Sequence, residues 1–263
     1  MSELSPIDAA ALRLRRAQAA ATTCAPVRDL IGADDIAAAY AAQAANHRAW
    51  IAAGRRPIGA KVALSAKAVQ QQMGVSAPTH GRLFADGCLA EGQEIPFAHL
   101  VQPKLETEIA VVLERALDRT KNTVADVLSA VAYAVPAFEI VGCRVLNWDV
   151  KVADFIADNS AASHIVLGTR PKKLGDFDAL RCRMETRLDG AVVSSGVGAA
   201  VAGNPIAALV WLADALALDG RPLQAGDVVM TGSLGPMALV APGQRYEAEI
   251  EGLGRVETSF STI

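Results

Sequence analysis

Five consecutive apolar residues, Ile109-Ala110-Val111-Val112-Leu113, follow directly on Glu106-Thr107-Glu108, and this run constrains the fold more than any other part of the chain. A strand sends alternate residues to opposite faces, so a run without a polar position is apolar on both faces and must be covered on both. The chain therefore needs a sheet enclosed between other layers, and its 263 residues are enough for one large core.

The rest of the chain arranges itself around that sheet. Ser5-Pro6-Ile7-Asp8 reads as a helix N-cap with proline at the first position and an acid at the third, opening an Ala/Arg-rich helix that fades near Thr22-Thr23. A second helix is predicted over 34 to 53, with Ile36, Tyr40, His47 and Ile51 on one stripe and Gly54 closing it. A short third helix spans 65 to 73 and ends at Gly74. After about residue 80 the period shortens toward two. The alternation over 181 to 188 runs into Asp189-Gly190 and then Ala191-Val192-Val193, which predicts a hairpin. Helices are predicted over 123 to 135 and over 204 to 218, the latter with Asn204 as N-cap and Pro205 at its first position. Glu247, Glu249 and Glu251 alternate with apolar residues and read as a solvated sheet face.

Charge and composition remove several classes of function. A net charge of −3 with mixed signs leaves no basic footprint for nucleic acid. The apolar stretches 130 to 137 and 199 to 212 are shorter than a bilayer requires or interrupted. The first residues lack a basic and apolar leader, which places the protein in the cytoplasm. Cys24, Cys88, Cys143 and Cys182 are scattered, with no pattern for a disulfide framework or a structural zinc.

The residues with chemical capacity are few. Glu106 and Glu108 share a strand face at a spacing of about 7 Å, which suits either a solvated edge or two ligands of one cation. Glu139 sits within Ala134-Val135-Pro136-Ala137-Phe138-Glu139-Ile140-Val141-Gly142, where a lone carboxylate is costly unless paired or metal-bound. If the three converge, they stay ionised together only around a cation, and an all-carboxylate set favours Mg²⁺ or Mn²⁺ over zinc. Asp158-Asn159 reads as a helix end or as part of a site. Lys61, in the apolar stretch 58 to 64, reads as a solvated lysine, or as one whose lowered pKa makes it an acid/base or an anion clamp.

Taken together, Gly59-Ala60-Lys61-Val62, Val69-Gln70-Gln71-Gln72-Met73-Gly74-Val75, Leu83-Phe84-Ala85-Asp86, Gln102-Pro103-Lys104-Leu105-Glu106-Thr107-Glu108-Ile109-Ala110 and Ala157-Asp158-Asn159 resemble the hydratase/decarboxylase branch of the fumarylacetoacetate hydrolase superfamily. Thr231-Gly232-Ser233-Leu234-Gly235-Pro236-Met237 is more similar to the 2-hydroxypenta-2,4-dienoate hydratases than to the 4-oxalocrotonate decarboxylases. The resemblance implies a mixed α+β fold, a curved β-roll (79–263) behind an N-terminal helical part (1–78), together one compact unit that forms homo-oligomers. It implies Mg²⁺ (or Mn²⁺) held by Glu106, Glu108 and Glu139, with Lys61 contacting a small 2-oxo acid or dienol substrate and moving protons. Ser160 is then a catalytic candidate, and Asp158, Asn159, Ser233 and Leu234 are substrate-binding candidates.

Two departures bear on chemistry. Pro78-Thr79-His80-Gly81 stands where hydratases carry Pro-Asp before a residue and glycine, and Asn159-Ser160-Ala161 reverses the usual Asn-Ala-Ser. Without that aspartate, proton transfer falls to Lys61, to His80 or to a water on the metal, and His80 is the candidate whose ordinary pKa suits neutral pH. A decarboxylase on the same metal site and a non-catalytic homologue are the competing expectations.

Overall fold

A computed structural model describes residues 4–263; residues 1–3, part of the stretch read as lacking a leader, lie outside it. Seven helices run in chain order among the described residues: α1 Pro6–Ala19, α2 Arg28–Ile31, α3 Ile36–Ala52, α4 Lys67–Met73, α5 Val124–Ala130, α6 Val152–Ala157 and α7 Pro205–Leu218. The strands are β1 Pro57–Ala63, β2 Thr79–Phe84, β3 Cys88–Ala90, β4 Glu94–Ile95, β5 Lys104–Leu113, β6 Val131–Val141 and β7 Ala162–Leu167. They continue with β8 Arg183–Leu188, β9 Ala191–Val197, β10 Val228–Ser233, β11 Ala238–Leu239, β12 Arg245–Ile250 and β13 Gly254–Phe260.

The larger sheet has the order β2-β1-β10-β5-β6-β7-β3, with β11 also on β5, and the smaller has the order β4-β13-β12-β8-β9. β5 is covered on both faces, as its composition requires. On one face Val111 joins Val62 and Val229 beneath Ala208, Leu209, Leu212 and Ala213 of α7. The smaller sheet packs against the β6 and β7 part of that layer, where Phe138, Ile140 and Val166 meet Tyr246, Ala248, Val256 and Phe260. The opposite, inner face carries Ala110, Val135, Ala137, Ile165 and Met230. Each large aliphatic or aromatic side chain buried this way stabilises the fold by about 1.5–3 kcal/mol.

Several local readings are corrected. The helix predicted over 123 to 135 stops at Ala130, and Val131 to Val141 is a strand paired with both β5 and β7. An apolar run offers no polar face to separate the two periods, and tertiary pairing decided the case. On α3 the expected apolar stripe is partly exposed at Ile36 and Ile51; the buried side is Ala39, Ala42, Gln43, Asn46 and His47. Small alanines let α1 and α6 approach closely there, and Gln43 Nε2 donates to the carbonyls of His80 and Ile156 at 2.9 and 3.0 Å. β1 lies inside the stretch 1–78 that was read as helical, and it is the partner of both β2 and β10.

The segment Gly198–Leu218 is long and apolar enough to match a membrane span by composition alone, but it is interrupted, as read, by extended backbone at Val201 and Asn204, and the buried residues of its helix pack on the sheet. Asp189 and Gly190 both take positive φ, 48° and 85°, in the tight turn of the β8–β9 hairpin. All four cysteines are free.

Candidate metal and substrate site

The β5–β6 register sets Glu106 directly opposite Glu139 and Glu108 opposite Ala137. Residues two apart on one strand share a face, so the three carboxylates meet on the inner face with ligand oxygens all within 4.8 Å of one another. Glu108 and Glu139 are fully buried and Glu106 is half-buried. Lys61 reaches them from β1, where it pairs with Gly81 on one side and Met230 on the other. Its Nζ lies 3.0 Å from Glu139 Oε1 and donates to the carbonyl oxygen of Ser160 at 3.1 Å.

The partners are too few for the charge present. Glu108 Oε2 accepts from the backbone N–H of Gly232 at 2.8 Å and Glu139 Oε1 has the Lys61 ammonium at 3.0 Å, but no hydrogen-bond partner reaches Glu108 Oε1 or Glu139 Oε2. Buried acceptors are ordinarily satisfied, so these oxygens call for a partner. One ammonium offsets one of three carboxylates, and the remaining two negative charges match a divalent cation. The donor set, all carboxylate oxygens, suits Mg²⁺ or Mn²⁺.

Burial raises the carboxyls of Glu106, Glu108 and Glu139 above the usual range, and at Glu108 the neighbouring Glu139 and Glu106 push further in the same direction. At Lys61 burial works to lower the pKa, but Glu139, Glu106 and Glu108 outweigh it and hold the ammonium above its ordinary value. The expectation of a lowered lysine pKa is therefore corrected: the carboxylates that surround Nζ stabilise its charge more than desolvation opposes it.

Ser160 belongs to this cluster through an unusual turn. Asn159, Ser160 and Ala161 take φ of 57°, 49° and 60°, three consecutive left-handed residues without a glycine. Such a conformation costs roughly 1–2 kcal/mol per residue and must be held by its surroundings. Ser160 Oγ donates to the carbonyl of His80 at 2.9 Å and lies 3.1 Å from Thr79 Oγ1. The Asn159 side chain pairs with the main chain of Arg82, accepting from its N–H at 2.8 Å and donating to its carbonyl at 2.9 Å. Gly81 lies where a Cβ would fall 2.2 Å from the Asn159 carbonyl oxygen, so only glycine admits this approach.

The other expected site residues lie at varying distances from this cluster. His80, expected as a proton-transfer group, is not on the inner face. It lies in β2, one residue out of phase with Thr79 and Gly81, and its ring points to the face beneath α7. There it stacks on Tyr40 with centroids 4.6 Å apart, and its Nε2 is 3.4 Å from Asp219 Oδ2. Asp158 has both carboxylate oxygens engaged by Arg144, Oδ1 by the guanidinium Nε at 2.5 Å and Oδ2 by the backbone N–H at 2.8 Å. Leu234 turns its side chain into the core beneath α7 and donates its N–H to Thr107. Ser233 is opposite Glu108 and half-buried, with its hydroxyl donating to the carbonyl of Gly235. The Gly232 N–H donor and the Ser160 carbonyl were not read from the sequence. Gly232, at φ 116°, had a faint signal in its glycine-rich loop, whereas in the left-handed turn only Asn159 has any preference for the conformation and Ser160 and Ala161 have none.

An enclosed sheet bearing three carboxylates and a lysine on its inner face is the setting in which relatives can be compared. Residues 56–261 match the fumarylacetoacetate (FAA) hydrolase C-terminal family, and the chain belongs to that family. It is 45% identical over 260 residues to 2-keto-4-pentenoate hydratase 1 of Dechloromonas aromatica, covering 99% of each chain. It is 47% identical over 266 residues to the TodF product hydratase of Pseudomonas putida, again over 99% of each. Among solved structures, 4-oxalocrotonate decarboxylase from Pseudomonas putida G7, complexed with magnesium and adipate, superposes with a TM-score of 0.93 at 29% identity over 99% of both chains.

Proposed function

We propose that this protein is a Mg²⁺-dependent hydratase that converts 2-hydroxypenta-2,4-dienoate and water into 4-hydroxy-2-oxopentanoate. The observation that carries the reading is the cluster of half-buried Glu106 with buried Glu108 and Glu139, the latter two short of partners, and Lys61 beside them. Its support from relatives is the identity of 45–47% to hydratases over the whole chain.

Glu106, Glu108 and Glu139 would hold the cation, which when bound supplies Lewis acidity to the substrate's carboxylate and C2 oxygen. The chain's own work is to keep that end dry and to move protons. Lys61 Nζ, fixed between Glu139 and the Ser160 carbonyl, delivers a proton to C5 and is reprotonated with the proton that leaves the C2 hydroxyl, so that the dienol becomes a C3–C4 enone. Water then adds at C4 and a proton at C3. The fixed dipoles and charges around the buried carboxylates replace solvent during these steps. With Thr79 bonded to Ser160 and His80 turned away, Lys61 is the titratable side chain we assign to proton transfer.

The test is a turnover screen with dienols and 2-oxo acids, with and without Mg²⁺, followed by product mass. Gain of one water supports the hydratase. The superposition on a decarboxylase favours a second reading, which release of CO₂ from a 2-oxo-hexenedioate without hydration would establish in place of the first. Mg²⁺ binding without turnover of any of these substrates would leave a non-catalytic homologue.

A further inference from the structure

The left-handed turn that presents the Ser160 carbonyl to Lys61 is gripped from behind the sheet. His47, on the buried side of α3, has Nε2 2.8 Å from Asn159 Oδ1 and Nδ1 3.1 Å from Arg221 Nη1. A guanidinium can only donate, so Nδ1 accepts and Nε2 carries the proton. The orientation of the Asn159 amide is fixed independently by its two bonds to the Arg82 main chain. Asn159 Oδ1 thus receives two donors, one from β2 and one from α3, at the first residue of a turn whose φ angles are unfavourable for the Ser160 and Ala161 side chains that follow.

We propose that His47 is a positioning residue for Lys61, acting through Asn159 and the Asn159–Ala161 turn. The path is short and every step is a contact: His47 Nε2 to Asn159 Oδ1, one peptide unit to Ser160, and the Ser160 carbonyl to Lys61 Nζ. Without the His47 bond the turn keeps its β2 contacts but loses the tie that sets its tilt. Lys61 Nζ then has one fixed partner in place of two and moves toward Glu139. The inference rests on reading Lys61 and the three glutamates as the reaction centre, and it concerns a residue no motif of that site includes.

The experiment compares His47→Leu with His47→Gln, whose amide nitrogen reaches as far as Nε2 and can donate to Asn159 while its oxygen accepts from Arg221. In His47→Leu, kcat on the best dienol falls roughly 10- to 100-fold, as a small misplacement of a reacting group does. KM stays within about twofold, because substrate binding contacts are untouched. Mg²⁺ binding, measured by calorimetry on the metal alone, weakens roughly 10-fold as Lys61 competes for Glu139. His47→Gln restores both values. If His47→Leu does not fold, His47→Asn takes its place, being one methylene too short to reach. A Leu or Asn variant with wild-type kcat and Mg²⁺ affinity, or a loss that the Gln variant shares in proportion to a lowered Tm, overturns the proposal. Should the wild type turn over no dienol, the hydratase reading fails, and the Mg²⁺ comparison alone decides the role of His47.

Discussion

Glu106 and Glu139 stand directly opposite each other in the β5–β6 ladder, where like charges ordinarily destabilise a sheet. With Glu108 on the same face, the apo site carries buried repulsion that a divalent cation relieves. Mg²⁺ at a hundredfold excess over its Kd should stabilise the fold by about 2.7 kcal/mol, or roughly 5 °C in Tm, and chelation should remove that gain. Glu108→Gln keeps an acceptor for Gly232 and gains an amide donor toward Glu139, so its apo form should melt at or above the wild-type apo temperature and respond little to Mg²⁺. Thermal melts of both proteins with and without EDTA check this; a fully Mg²⁺-responsive Glu108→Gln contradicts it.

Arg144 and Asp158 form a buried ion pair with no solvent between them, Nε to Oδ1 at 2.5 Å, and Arg144 also donates to the Asp158 carbonyl. Removing one partner strands the other, so Asp158→Ala should cost about 3–5 kcal/mol in urea denaturation. Activity of the folded fraction should keep its KM. A stable Asp158→Ala protein with a raised KM would return Asp158 to substrate binding.

His80 touches Tyr40 and Asp219 on the outer face and lines a cavity of about 440 Å³ with Trp211 and Leu218. His80→Ala should therefore retain kcat on the enzyme's best substrate and lower stability by about 1–2 kcal/mol. Steady-state kinetics decide it, since a general acid/base would lose 10²-fold or more.

His47 gives the fold a pH dependence. Burial pushes its pKa down to about 3, against the help of Asn159; Arg221 after α7 and Arg82 and His80 of β2 face it, with the Trp50 and Phe84 rings alongside. The unfolded chain takes up this proton near pH 6.5 and the native protein does not, so the unfolded state binds more protons between about pH 6.5 and 3. Stability from this group is fully present above pH 6.5 and is lost as pH falls, at up to about 1.4 kcal/mol per pH unit. Urea midpoints from pH 7 to 5 should fall in the wild type and fall less in His47→Gln; parallel curves for the two would contradict the assignment.

How much was legible differs residue by residue. The enclosed strand, the Glu106 and Glu108 pair, the Asp189-Gly190 turn and the Ser5 and Asn204 caps depend on near neighbours, so composition and period carry them. Glu139 was legible as a misfit, a carboxylate in an apolar run, which is why it could be joined to the other two before any fold was known.

Contacts between distant segments were legible only in the fold. The sequence determined that a covered sheet would carry two carboxylates on one face and that a third, buried one needed a partner, because strand period and the cost of desolvation are local properties. The tertiary structure decided that Glu139 stands opposite Glu106, that His80 looks away from Lys61, and that Asp158 is spent on Arg144. Register between strands and the choice of face at β2 are relations between segments far apart in the chain, which no local pattern encodes. The left-handed turn at Asn159–Ala161 is held by His47, Arg82 and His80 from other elements, and of its three residues only Asn159 readily takes that conformation.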